Sequence, residues 1–104
     1  MTVGCTRKKD YTVVITVVSV KGKCTLGIKK GDSWTIERNV TPSNFCMNAF
    51  TNIYPTLRTF MYGGEQRWDS KDRDRTLLMC PDFFNQVMYE IKRIRPEEPA
   101  ENID

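Results

Sequence analysis

The chain contains no histidine. That absence removes the commonest general base and the commonest metal ligand. Site chemistry must then come from sulfur, carboxylate, amine or phenol. Cys-x-x-Cys is also missing, which argues against a zinc ribbon, a rubredoxin-like knuckle and a thioredoxin-type redox pair. No run of apolar residues is long enough to cross a bilayer; the longest, Tyr11 to Val20, is interrupted by Thr12, Thr16 and Ser19. The basic residues Arg7, Lys8 and Lys9 are followed by a β-branched stretch, not by a leucine- and alanine-rich one with a small-residue cleavage site. A cytoplasmic protein is the expectation.

What is present is a chain of 104 residues, 39% hydrophobic and 28% charged, the composition of one globular domain. The net charge of +3 hides a split. Glu97 to Asp104 carry four acids and no base, leaving sixteen bases against nine acids in residues 1–96, a net +7. The bases are dispersed and often stand beside acids, as in Lys71-Asp72-Arg73-Asp74-Arg75, so nucleic acid is not the expected partner. The chain divides into a flexible segment over 1–10, an α+β domain over 11–96 and a disordered acidic tail over 97–104.

Tyr11 to Val20 is rich in β-branched residues and reads as a strand with apolar side chains on both faces. Gly31-Asp32 marks a turn before a second strand, Ser33 to Glu37, with Trp34 and Ile36 facing one way. Thr41-Pro42 has the form of a helix start. Cys46, Ala49, Phe50 and Ile53 then share a helical face. Pro55 is expected to end or bend that helix and to open a second, with Leu57, Phe60 and Met61 buried and Gly63-Gly64 as its stop. Trp68 falls in a charged loop. Thr76 to Cys80 and Gln86 to Ile94 read as two further strands. The order ββααββ has no repeated βαβ unit. It predicts an antiparallel sheet of about four strands with two helices on one face.

The stretch Cys46-Met-Asn-Ala49, with Ile53-Tyr-Pro55, Tyr62-Gly-Gly64, Trp68, Cys80-Pro-Asp82 and Glu90-Ile-Lys-Arg-Ile94, resembles a family of small cysteine-containing prokaryotic proteins with no established activity. The Gly22-Lys-Cys24 turn and Gly31-Asp32 extend the likeness over roughly residues 11–95. The chain departs from the pattern at Met47, where many relatives carry an aromatic, and at Ile28, where some carry histidine. The resemblance implies a fold and a trio of cysteines; it implies no reaction.

Four cysteines in a reducing compartment are free or metal-bound more often than paired. Cys24 lies in a glycine-rich turn, Cys46 near a helix start, where thiol pKa values fall, and Cys80 at a strand end. Cys5 precedes the folded region and is treated as incidental. If the three loops converge, Cys24, Cys46 and Cys80 form a soft-metal site for Zn, Fe or Cu(I), with Asp82 as an outer carboxylate and Trp68 as a lid. Zinc–thiolate bonds near 2.3 Å require sulfurs about 3.5–4 Å apart. Core packing competes as an explanation for each cysteine, since free cysteine packs as a small hydrophobe. The leading expectation is a small metal-binding or redox-active thiol protein, an accessory or sensor component. The alternatives are an interaction module, docking a protein partner or a second copy of itself, and a small-molecule enzyme with Cys46 as nucleophile and Asp32 or Asp82 as base.

Overall fold

The computed structural model describes residues 11–24, 26–38, 40–64 and 72–95. The expected flexible segment 1–10, the acidic tail, Cys5 and Trp68 lie outside the described residues. Four strands, β1 (Thr12–Val20), β2 (Ser33–Ile36), β3 (Arg75–Met79) and β4 (Val87–Ile94), form one antiparallel sheet in the order β2-β1-β4-β3. Among the described residues a single helix, α1 (Met47–Met61), packs on one face. No helix among the described residues is long and apolar enough to cross a membrane.

Register sorts the side chains. Val13, Ile15 and Val17 of β1 stand opposite Arg93, Ile91 and Tyr89 of β4. Ile36 and Trp34 of β2 extend that row on one side, and Thr76 and Leu78 of β3 extend it on the other. This face is the core. A bulge between Val17 and Ser19 inserts an extra residue into β1. It resets the alternation, so Val20 comes opposite Val87 and rejoins the buried side instead of pointing to water. The opposite face carries Lys92, Glu90, Leu77 and Met79 and has no layer over it among the described residues.

The expectation of two helices is corrected: α1 runs unbroken through Pro55. Proline inside a helix costs about 3 kcal/mol or more, because it removes one hydrogen bond and crowds the preceding turn. Here the ring sits on the solvent side. Beyond it Leu57, Phe60 and Met61 are buried, on the stripe that Ala49 and Ile53 begin. Each such side chain gains roughly 1.5–3 kcal/mol. Their sum exceeds the proline penalty, so tertiary burial decides.

The start of the helix is corrected as well. Thr41-Pro42 does not open it; Cys46 is the N-cap, with φ −70° and ψ 126°, and its carbonyl accepts the first helical bond, from Phe50 N–H at 2.9 Å. Asn44, in the left-handed region at φ 58°, turns the chain so that Phe45 reaches Trp34, with centroids 4.7 Å apart, and Tyr89, 5.4 Å away. A helix from Thr41 is incompatible with that turn. At the far end Gly63, at φ 88°, stops the helix.

Arg93 is the largest fully buried side chain, and its exposure is 0%. Its guanidinium donates to Asp74 Oδ1 at 3.0 Å and to the carbonyls of Phe60 at 3.2 Å, Gly64 at 2.7 Å and Arg73 at 3.0 Å. It also lies over the rings of Phe60 and Tyr11. Replacing it with methionine keeps the volume but strands these acceptors. The expected loss is about 3–5 kcal/mol, read by urea unfolding; a loss under 1 kcal/mol contradicts the role.

Asp74 supplies a pH test. Hydrogen bonds from Arg95 are the main reason its carboxyl lies below the ordinary 3.8, with Arg93 adding to them and burial opposing. A carboxylate depressed in the folded state stabilises fully above its unfolded pKa and loses that contribution as pH falls through the folded one. The urea midpoint should therefore drop below about pH 4. In Asp74→Asn this component of the drop should be missing, measured as the difference between the two profiles.

Candidate functional site: a cleft of three thiols

Three loops meet at one end of the sheet. The turn after β1 carries Cys24, the N-terminus of α1 carries Cys46, and the β3–β4 connection carries Cys80. The first and third are fastened together. Lys21 N–H donates to Gln86 O at 2.8 Å, and Lys23 N–H donates to Asn85 Oδ1 at 3.0 Å. Gly22 makes this approach possible: at φ 80°, a β-carbon there would lie 2.9 Å from the Phe84 carbonyl oxygen and closer still to Asn85. The helix is tied to the same end by Asn52, whose amide donates to the Met79 carbonyl.

Cys24, Cys46 and Cys80 all line one open cleft of about 490 Å³, together with Leu26, Met47, Asn48 and the Pro81-Asp82 turn. All three are free thiols. Cys80 is buried, and its position is fixed on both sides: its N–H donates to Val87 O at 2.9 Å, and its Sγ accepts the Val87 N–H at 3.2 Å. Cys24 and Cys46 are half-buried. No side chain caps the helix at Cys46, and its first turn holds no acid, so the positive end of α1 faces the cleft unneutralised. Among the described residues, no three histidine, cysteine, aspartate or glutamate side chains are grouped so as to hold a metal ion. The sulfurs share a cleft without converging on a ready-made coordination sphere.

Asp82 lines the cleft, but its Oδ1 accepts the N–H groups of Phe84 at 3.1 Å and Asn85 at 3.0 Å, which shapes the turn. Asp32 is elsewhere. Its carboxylate accepts Lys29 N–H at 3.0 Å and belongs to the turn before β2. Ile28, where histidine was the alternative, is a core residue.

Tyr89 is the residue that sequence reasoning missed. In the sequence it is simply one position within the strand expected over Gln86 to Ile94. Its ring packs against Phe45 and Trp34. The residue is 1% exposed, and its hydroxyl makes no hydrogen bond among the described residues. Burial, then the charges of Cys46, Cys80 and Cys24, push its pKa well above the ordinary phenol range. The phenol therefore stays protonated, a hydrogen-bond donor within electrostatic reach of all three sulfurs. A buried polar group without a partner is uncommon in folded proteins and asks for an explanation. The signal available in sequence was a hydroxyl-bearing aromatic in the middle of a buried row, two residues from each aliphatic neighbour on its face.

A second cleft, of about 460 Å³, lies under α1 between Val40, Pro42, Phe50, Tyr54 and Arg58. It holds no thiol and no carboxylate, and Arg58 stacks on Tyr62 at 5.5 Å. Comparison with protein-family models, with curated proteins and with solved structures finds no match.

Because an unsatisfied buried hydroxyl is unfavourable, Tyr89→Phe should leave the metal-free protein as stable as before or raise its stability by up to about 1 kcal/mol. Equilibrium urea unfolding with unchanged m-value measures this. A loss beyond about 1 kcal/mol would show that the hydroxyl has a partner in the free protein.

Proposed function

We propose that the protein is a small cytoplasmic thiol protein that works through Cys24, Cys46 and Cys80, as an accessory or sensor component. The observation that carries this reading is the shared cleft. Three sulfurs far apart in sequence line it. Core packing accounts for Cys80 in part, since it is buried. Cys24 and Cys46 also pack against the core, but only in part, and both open on the same space.

Such a site performs one of two related tasks. It takes up a soft metal ion, of which Zn, Fe and Cu(I) are the thiolate-compatible choices. Otherwise it exchanges with a small disulfide: two protein thiols become a disulfide while the small disulfide is reduced to two thiols. Catalysis by Cys46 is less well supported. Asp82, the carboxylate on the cleft, is engaged in its turn, and Tyr89 is held protonated.

The exposed pair Phe83 and Phe84, stacked edge to face at 5.1 Å, favours a second reading as an interaction module for a protein partner or a second copy.

The test is direct. Protein purified without air and offered Zn(II), Fe(II) or Cu(I) should retain close to one metal per chain by elemental analysis, or lose a pair of titratable thiols reversibly to oxidised glutathione. Cys46→Ser and Cys80→Ser should each abolish the response. Wild-type protein that does neither refutes the thiol reading.

A further inference from the structure

The cleft under α1 has the features of a small-molecule site and owes nothing to the thiols. Phe50, Tyr54, Leu57 and Met61 stand at i, i+4, i+7 and i+11, one face of the helix, and make one wall. Val40 and Pro42, on the segment that leads from β2 to the helix, make the other. Arg38, at φ 53°, and Asn44, at φ 58°, hold the left-handed conformation on either side of that segment. Neither is glycine, so each keeps an unfavourable backbone to place it. Val40 is 64% exposed and Tyr54 45%, so the walls offer apolar surface to water. The volume of about 460 Å³ falls within the range of small-molecule sites, about 300–1,000 Å³.

One charged side chain, Arg58, lines this space. Its guanidinium lies over the Tyr62 ring, 5.5 Å from the centroid. Other arginines of the chain are occupied differently: Arg93 and Arg95 hold Asp74, and Arg75 holds Glu90. No carboxylate among the described residues pairs with Arg58. Stacking on a ring fixes the plane of a guanidinium and leaves the N–H donors at its edge open. Such a fork matches the two oxygens of a carboxylate.

We propose that this cleft binds a small amphipathic carboxylate, its aromatic or aliphatic body packed between α1 and the Val40–Pro42 segment and its carboxylate received by Arg58. Burial of the body removes the exposed parts of Val40 and Tyr54 from water, which favours binding. The charge selects an acid over its neutral amide, because the lining holds one cation and no carboxylate. A single guanidinium suits a monoanion better than a polyphosphate. The site stands apart from the cysteine cleft, so either reading can fail without the other.

The experiment is a titration of the whole ¹⁵N-labelled chain, followed by NMR, with 3-phenylpropionate, 4-phenylbutyrate and octanoate, each beside its neutral amide. At least one acid should saturate the protein, with backbone shifts gathered at Val40, Thr41, Phe50, Tyr54 and Arg58. Its amide should bind about tenfold or more weakly, the scale of a charged hydrogen bond. Arg58→Gln should erase the preference for acid over amide and leave the amide's affinity unchanged. Tyr54→Ala should weaken acid and amide alike. Both side chains are exposed, and urea unfolding confirms that each variant is folded. If Arg58→Gln keeps the preference, the role of the guanidinium is overturned. If no acid saturates at millimolar concentration, or the shifts gather instead at Cys24, Cys46 and Cys80, the site under α1 is refuted.

Discussion

A guanidinium with no access to water must find protein acceptors for its donors, and the geometry that provides them for Arg93 organises one end of this molecule. Its partners come from two separate pieces of chain: the last turn of α1 with Gly64, and the turn before β3, which supplies the Arg73 carbonyl and the Asp74 carboxylate. A charge left unpaired in that position would cost several kcal/mol. The arrangement is therefore close to all-or-none. The helix cannot leave the sheet, and the turn before β3 cannot shift, without exposing acceptors or stranding the charge. Tyr11 adds to this end twice, through its ring over Arg93 and through its N–H on the Met61 carbonyl. The polar network fixes where the helix ends; the apolar stripe from Ala49 to Met61 supplies the favourable free energy of docking.

The other end of the molecule is organised differently. There the chain has a glycine with positive φ, a carboxylate that caps a turn, and backbone hydrogen bonds between two turns. These hold the loops of Cys24 and Cys80 together and leave the space between them open to solvent. A polar network around Arg93 holds one end of the domain, and a sulfur-lined cleft opens at the other.

How far the site could be read in advance depends on the residue. The three cysteines were legible because thiols without imidazoles narrow the chemistry. Their place on one cleft was not, because it depends on the close approach of Gly22 and Asn85, two residues 63 positions apart. Asp82 was legible as turn chemistry. Tyr89 was hidden by its strand, where period-2 alternation makes a phenol and an aliphatic side chain look alike. Met47 looked like a departure from a motif until its place on the cleft was seen.

Local chemistry in the sequence determined where strands form, where Gly63 stops the helix, and that any site would lack imidazole, since these follow from side-chain branching, backbone freedom and composition alone. Tertiary structure decided the rest. Burial of Leu57, Phe60 and Met61 outweighed the break that Pro55 favours and made one helix of an expected two. A bulge at Val17–Ser19 returned Val20 to the core. Neither result is a property of a short window, because each depends on what a distant strand offers as a partner.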